Sequence, residues 1–358
     1  MESRSTRGRR SHEDGISEVV GFVVILAVVV GVLSLYLTYA IPVQGREEEI
    51  RVMDGVRSWF VDYKTGLDQL WLNSPVVNNS TTPYVPRDTI FPEDRNALYS
   101  ITTGQVTLRR VISPGTSRES GFIRRYLPLL APIPSSAEVS VRNEDTFRIS
   151  GWRNGTEVLK WEGTVPSLVY TSHNYYWLQQ EYSYQLGGVF LRQWDLAGAE
   201  PRRMTVVASP PLSLYTPEGG TTYQTKAEIV VVNLSAETGG FGVTSPVRVE
   251  TNLSADPLDL EPSDGRPSAE FSAVTLTFEG ASHESAVAWS TIFEGAAMRN
   301  TLNSDYYNLT KPNASTPTIA AIDIIGYEPS DPYIHDVQFE ALIANYAMRM
   351  QNVPTMIE

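Results

Sequence analysis

The longest apolar stretch of the chain lies close to its N-terminus and runs from Val19 to Ala40, 22 residues without a formal charge. As an α-helix that rises ~1.5 Å per residue, this stretch is long enough to cross a bilayer core of about 30 Å. A short basic leader precedes it, and a long polar remainder follows it. We therefore predict one transmembrane helix over residues 16–45 that carries a large domain.

A second helical pattern follows directly. Apolar residues recur at alternating steps of three and four, which is typical of a helix with one apolar face. These residues are Met53, Val56, Phe60, Tyr63, Leu67 and Leu70. We predict an amphipathic stalk helix over residues 46–72, set off from the membrane helix by a kink or interruption at Pro42. Its apolar face could pack against neighbouring subunits, as in a coiled coil, or against the protein's own exterior domain.

The pattern changes to a period of two after a linker over residues 73–94 that is rich in Pro, Asn, Ser and Thr. Alternating segments separated by turn residues predict β-strands. The clearest segments are 105–112, 137–142, 227–233, 243–251 and 271–278. Asn154-Gly155 lies between the segments 147–149 and 158–161 and predicts a hairpin turn. Residues 182–186 alternate before Gly187-Gly188, and residues 189–191 continue after it.

The C-terminal third adds one helix and one more predicted hairpin. The helix can begin at Ser282 as its N-cap, and Trp289, Ile292, Phe293 and Ala296 share one face. The hairpin would pair residues 319–325 with residues 337–348, although the latter segment also fits a helix. The predicted fold is therefore α+β: a long N-terminal transmembrane and stalk α-helix, followed by a mostly antiparallel β-sandwich-like exterior domain over residues 73–358.

Charge around the apolar stretch predicts its orientation. The leader carries Arg4, Arg7, Arg9 and Arg10, whereas Arg46 on the other side is followed at once by three glutamates. Because the more basic flank stays cytoplasmic, we expect a single-pass protein of the cell membrane with its N-terminus inside and its large domain outside. The alternative is a cleaved secretory signal, but the apolar stretch is longer than the usual 7–15 residues or so of such signals.

Composition agrees with a surface protein. The chain has 28 Lys and Arg against 41 Asp and Glu, a formal net charge of −13. An acidic protein is a poor match for nucleic acid, whose phosphates require a basic face. The chain contains no cysteine, so it has neither disulfides nor thiolate metal sites. The exterior domain must be stabilised by its own core, and it is long enough to form one.

Seven Asn-x-Ser/Thr sequons follow the apolar stretch, and such sites accept glycans only on the outer side of the membrane. The candidate acceptors are Asn78, Asn79, Asn154, Asn233, Asn252, Asn308 and Asn313. A chain rich in Asn, Ser and Thr also produces sequons by chance, so we expect only part of them to be used.

Catalytic motifs are absent from the sequence. The four histidines do not form His-Glu-x-x-His, and neither a Gly-x-Ser-x-Gly elbow nor a P-loop occurs. We therefore predict no enzyme, no catalytic residue and no cofactor.

Two patterns remain open. An aromatic-rich stretch over residues 170–184 fits either a binding platform or strand packing. A cluster of acids could hold calcium or form a solvated loop: Asp256, Asp259, Glu261 and Asp264.

A family resemblance covers residues 7–45. The basic leader and the motif Gly15-Ile16-Ser17-Glu18-Val19-Val20-Gly21, which opens an uncut apolar helix, resemble the class III signal peptide of archaeal type IV pilins and pilin-like proteins. The resemblance implies that a prepilin peptidase cuts between Gly15 and Ile16, removes the cytoplasmic leader over residues 1–15 and leaves the helix on the mature protein. It also implies further partners: a pilus assembly platform, and other pilin-like subunits or copies of the same chain.

Glu18 is the one membrane-proximal residue with an expected role in assembly. The family carries a glutamate near the mature N-terminus, usually at the fifth position; here it would be the third. A carboxylate drawn into lipid costs a few kcal/mol unless it is neutralised. The new amine of Ile16, on the same or an adjacent subunit, could neutralise it. Alternatively, Glu18 lies among the lipid headgroups.

Three hypotheses for function follow. The first is a structural cell-surface protein, a pilin-like subunit that is assembled into a type IV pilus-like filament and that would be a minor or tip subunit because its exterior domain is large. The second is a membrane-anchored adhesin or ligand-binding module that does not polymerise. The third is an exterior enzyme, for which the sequence offers no constellation of catalytic residues.

Overall fold

The computed structural model describes residues 10–72, 107–113, 115–116, 130–194, 204–216, 225–236, 240–243, 246–254, 258–265, 271–299, 302, 304–326 and 337–353. The predicted linker over residues 73–94 lies outside these ranges.

The N-terminal part is one continuous helical rod. Helix α1 (Arg10–Leu35) leads into a π-helical turn (Tyr36–Ala40), and helix α2 (Ile41–Leu72) follows without a gap. Of the two outcomes predicted at Pro42, a kink or an interruption, the interruption is therefore wrong. Proline lacks a backbone N–H and its ring crowds the carbonyl four residues earlier. The wider π turn lies directly before Pro42, and its end is closed by the Ile41 N–H, which donates to the Tyr36 carbonyl.

Most of the remaining described chain is β-strand. The first strands are β1 (Thr107–Ile112), β2 (Ser136–Arg153), β3 (Thr156–His173), β4 (Gln179–Gln185), β5 (Gly188–Trp194), β6 (Thr205–Ala208), β7 (Leu212–Tyr215) and β8 (Thr225–Ser235). The later strands are β9 (Gly240–Val243), β10 (Val247–Leu253), β11 (Leu258–Asp259), β12 (Ala273–Glu279), β13 (Tyr307–Thr310), β14 (Ile319–Ile325) and β15 (Val337–Asn352). Helix α3 (His283–Arg299) lies between β12 and β13.

The strands form two sheets. Sheet 1 has the order β1-β10-β15-β8-β7, with β11 paired to β15. Sheet 2 has the order β13-β14-β12-β2-β3-β4-β5-β6, with β9 paired to β2. The β15–β8 pair is parallel, and the other named pairs are antiparallel. A long apolar helix followed by a mostly β, predominantly antiparallel domain confirms the α+β class.

The hairpin turn at Asn154-Gly155 occurs where the sequence predicts it. Asn154 and Gly155 connect β2 to β3 with φ of 51° and 72°, the left-handed pair that a type I′ turn requires. Leu186 and Gly187 connect β4 to β5, also with positive φ. The cap of α3 is confirmed as well, because the Ser285 N–H donates to Ser282 Oγ at 3.2 Å.

The predicted hairpin between residues 319–325 and 337–348 is wrong. Strand β14 pairs with β12 and β13 in sheet 2, whereas β15 lies between β10 and β8 in sheet 1. The 16-residue β15 alternates buried and half-buried positions along most of its length. It therefore fits a position inside sheet 1, where β8 pairs with it over 11 residues and β10 and β11 pair with it on the other side.

Two hydrophobic clusters hold the domain together. The first joins inward side chains of both sheets to helix α3, whose Trp289 stacks on Phe278 at 4.9 Å between ring centroids. The second joins both sheets to helix α2. The stalk helix is therefore part of the hydrophobic core of the domain.

Candidate functional site

The surface that connects the apolar helix to the domain is a continuous buried stripe on α2. The stripe consists of Ile41, Gly45, Glu49, Met53, Val56, Phe60, Tyr63 and Leu67. Steps of three and four place these residues on one helix face. Their partners are residues of the protein's own domain, so the structure confirms the second of the two partners considered for this face. The stripe begins at Ile41, directly after the predicted membrane-spanning stretch that ends at Ala40.

The distal half of the stripe is an aromatic contact. Phe60 stacks on Tyr182 at 5.9 Å between centroids, and Tyr63 meets Tyr184 edge to face at 5.2 Å. The Tyr63 hydroxyl is 2.8 Å from Thr251 Oγ1, and the Tyr346 hydroxyl donates to a carbonyl of the helix. Burial raises the pKa of Tyr63 above its ordinary range, so this phenol stays neutral.

The proximal half of the stripe contains a buried carboxylate, Glu49, of which 1% is exposed. The turn between β3 and β4 points two backbone amides at it: the Tyr175 N–H donates to Oε1 at 2.7 Å, and the Tyr176 N–H donates to Oε2 at 2.9 Å. Desolvation raises the pKa of Glu49, and these hydrogen bonds partly offset the rise. We call Glu49, Gly45 and residues 175–177 the clasp.

Three further contacts complete the clasp. The Tyr176 ring lies so close to Gly45 that a Cβ at this position would overlap the ring. The Arg46 guanidinium lies 4.4 Å from the centroid of the Trp177 ring, a cation–π distance. The Tyr176 hydroxyl accepts a hydrogen bond from the Ile133 N–H at 3.1 Å. The clasp therefore fixes the domain to the helix immediately beyond the apolar stretch.

The aromatic-rich stretch of residues 170–184 divides between these two halves. Tyr170, Tyr182 and Tyr184 are buried core residues, as the packing interpretation predicts. Sequence reasoning missed the role of Glu49, because three consecutive glutamates suggest a solvated face. Its spacing, four residues after Gly45 and four before Met53, is the signal that could have identified it.

The apolar stretch itself is uncovered. Its large apolar side chains from Val19 to Leu37 are between 40% and 66% exposed. The described part of the chain contains one helix that is long and apolar enough to span a membrane. Gly15, Ile16 and Glu18 lie within α1 by their backbone, and their side chains are outside the described residues.

The structure describes five of the seven sequon asparagines. Asn154, Asn252, Asn308 and Asn313 are exposed, as a glycan acceptor must be. Asn233 is half-buried, and its Nδ2 donates to Asn345 Oδ1 at 2.9 Å, so a glycan would have to be attached to an amide nitrogen that is already engaged inside the sheet. Asn78 and Asn79 lie outside the described residues.

The acidic cluster offers no assembled cation site in the described chain. Asp264 forms an ion pair with Arg153, whose side chain is almost fully buried. Asp259 lies in the short strand β11, where burial raises its pKa and the nearby Glu261 adds to the rise. Asp256 lies outside the described residues. Among the residues searched, His, Asp and Glu side chains do not form a group of three that could hold a metal ion.

The raised pKa of Glu49 predicts a specific pH dependence. A carboxyl whose pKa is higher in the folded state stabilises that state below its ordinary value of 4.5, and this contribution is lost as the pH rises through the raised value. We expect the melting temperature of the wild type, relative to the Glu49→Gln variant, to fall as the pH rises from below 4.5 through the raised pKa of Glu49. Thermal unfolding of residues 41–358 of both proteins measures it. A difference that does not change with pH would contradict the burial argument.

Comparison with known proteins does not assign the site: the chain matches no protein-family model, no curated protein and no solved structure.

Proposed function

We propose that this protein is a pilin-like subunit of the cell surface, anchored by α1 with its N-terminus inside and its β-sandwich-like domain outside. The observation that carries the proposal is the uncovered apolar surface of α1, which follows a basic leader and continues into a helix clasped by the domain. A prepilin peptidase would cut between Gly15 and Ile16 and leave α1 on the mature chain.

The buried stripe of α2 restricts how such subunits could pack. Its apolar face is occupied by the protein's own domain, from Ile41 to Leu67. Contacts between subunits would therefore lie on α1. When α1 leaves the lipid, its apolar surface would cost about 25 cal/mol per Å² if it were exposed to water. A bundle of α1 helices from neighbouring subunits would cover that surface.

Glu18 would contribute to this bundle through the free amine of Ile16. A carboxylate and an ammonium that are drawn together into an apolar bundle neutralise each other, whereas either one alone is costly there. The assembly platform would extract the subunit from the membrane, and the large domain favours a minor or tip position in the filament.

Processing is the first test of the proposal. We expect the native protein to begin at Ile16 by intact-mass and terminal-peptide analysis. Gly15→Val is expected to retain the 15-residue leader, because a β-branched side chain would occupy the peptidase cleft. Gly31→Val is a matched control: it lies in the span, where an added Cβ meets nothing within 4 Å, and processing should be normal. A terminus near Ile41 would instead indicate ordinary signal cleavage and a secreted domain.

Assembly is the second test. We expect Glu18→Ala to be processed and inserted like the wild type but to be missing from filaments sheared from the cell surface. Wild-type yield of Glu18→Ala in filaments would exclude an assembly role for this carboxylate. If the wild type itself remains entirely in the membrane fraction, the non-polymerising anchored module is the correct alternative.

A further inference from the structure

We propose that the underside of the exterior domain, formed by Ile133 and residues 174–178, lies in the headgroup layer of the membrane that α1 spans. This inference rests on the span in the proposed function and adds a second membrane contact to it. The contact would be made by the folded domain, in addition to the helix.

The first argument is depth along the helix. The 22 residues from Val19 to Ala40 extend over ~33 Å and fill a hydrocarbon core of about 30 Å. The headgroup layer adds roughly 5–7 Å on each side, or about four or five helical residues. The layer therefore extends from Ile41 to about Gly45. Ile41 is already buried, with 7% exposed, and Gly45 lies under the Tyr176 ring. The domain thus reaches the helix at headgroup depth through the Tyr176 ring. The backbone of Tyr175 binds Glu49, ~6 Å farther along the helix, a distance comparable to the length of a tyrosine side chain.

The second argument is the chemistry of this underside. Tyr175 is 57% exposed and Ile133 is 54% exposed, and the Ile133 N–H donates to the hydroxyl of Tyr176, which follows Tyr175 in the chain. Tyrosine and tryptophan favour the membrane interface, where the ring is sheltered and the polar end is hydrated. On the helix, Tyr39 lies at the end of the stretch that fills the hydrocarbon core and is 68% exposed.

Charge at this height argues against a contact driven by anionic lipid. Arg46 is stacked on Trp177, and it is followed by Glu47 and Glu48. Two acids beside one base give this segment of α2 a slightly negative charge. The negative potential of an anionic leaflet would therefore not attract it. The contact is therefore aromatic and aliphatic, and neutral phosphatidylcholine is sufficient to form it.

The absence of cysteine from the chain makes this contact testable with single spin labels. Tyr175→Cys and Ile133→Cys report on the underside, and Val28→Cys reports on the span. Lys160→Cys is the control; it is exposed and lies on β3, 13 residues before His173, about 43 Å along the strand. Because Tyr175 binds Glu49 through its backbone N–H, its substitution leaves the clasp intact.

The measurement is the accessibility of each label to a water-soluble nickel chelate, with the full chain in phosphatidylcholine vesicles. We expect the accessibility of the labels at 175 and 133 to be at most about one third of that of the label at 160. The label at 28 should be inaccessible. If the label at position 28 is inaccessible but the labels at 175 and 133 are as accessible as the label at 160, the domain does not contact the headgroup layer and the span is still supported. If 28 is accessible to the chelate, the span fails and the proposed function fails with it.

Discussion

A fragment that begins at Asn73 is expected to lose cooperative unfolding, whereas a fragment that begins at Ile41 retains it. The boundary at residue 73 follows from the sequence pattern, but helix α2 supplies one wall of the second hydrophobic cluster. Removing α2 uncovers its partners on both sheets, including Tyr182 and Tyr346. Burying a large apolar side chain contributes about 1.5–3 kcal/mol. The apolar residues of the stripe together contribute on the order of 10 kcal/mol, comparable to the whole stability of a typical domain.

Thermal unfolding followed by circular dichroism distinguishes the two fragments. Residues 41–358 should show one sharp transition, and residues 73–358 should aggregate or melt without one.

A point substitution tests the same packing. Phe60→Ala is expected to cost about 3–5 kcal/mol, while Asp62→Ala, on the exposed face of the same helix, should change stability by less than about 0.5 kcal/mol. Equal melting temperatures for the two fragments would show that the domain does not need α2.

Two glycine substitutions on α2 are expected to have opposite signs. Alanine is favoured over glycine by about 1 kcal/mol inside a helix, and both Gly45 and Gly55 are helical. A Cβ at Gly55 meets nothing within 4 Å, whereas a Cβ at Gly45 overlaps the Tyr176 ring. Gly55→Ala should therefore stabilise the protein. Gly45→Ala should destabilise it, because overpacking costs about 1–3 kcal/mol.

The difference in stability between these two variants reports on the packing of the clasp, because the gain in helix propensity is the same in both. We expect melting temperatures of residues 41–358 that differ by about 2 °C or more, with Gly45→Ala below the wild type and Gly55→Ala above it. The interpretation of the clasp would be wrong if both variants were stabilised equally. Adding Tyr176→Ala to Gly45→Ala should remove the overlap and reduce the difference, in the manner of a double-mutant cycle.

Local pattern predicted the local structure well. The uncharged run and the three-four spacing of Phe60, Tyr63 and Leu67 gave the helices, and Asn154-Gly155 gave its hairpin, because each depends on residues close in sequence. The partner of the stripe remained open in the sequence, since a three-four apolar face looks the same against another subunit as against its own domain. Only the tertiary contacts decide between them.

The errors have one physical origin, which is long-range context. Adjacent strands pair often enough that residues 319–325 and 337–348 suggest a hairpin, yet β15 pairs with β10 and β8 in the other sheet. Proline usually breaks a helix, yet a π turn before Pro42 keeps this one continuous. Acidic side chains are rarely buried without partners, and the partners of Glu49 are backbone amides 126 and 127 residues away.

The central position of β15 also sets the order in which the domain can be completed. Strand β15 separates β10 from β8, so the two halves of sheet 1 are not joined until this late segment of the chain has been synthesised. Tyr346 and Met348 on β15 also contact the stalk through Leu67 and Tyr63. The apolar face of α2 is synthesised early, but it is covered completely only by residues nearly three hundred positions later. Such non-local closure is slow, and the stalk is the segment that a chaperone or a neighbouring chain would encounter first.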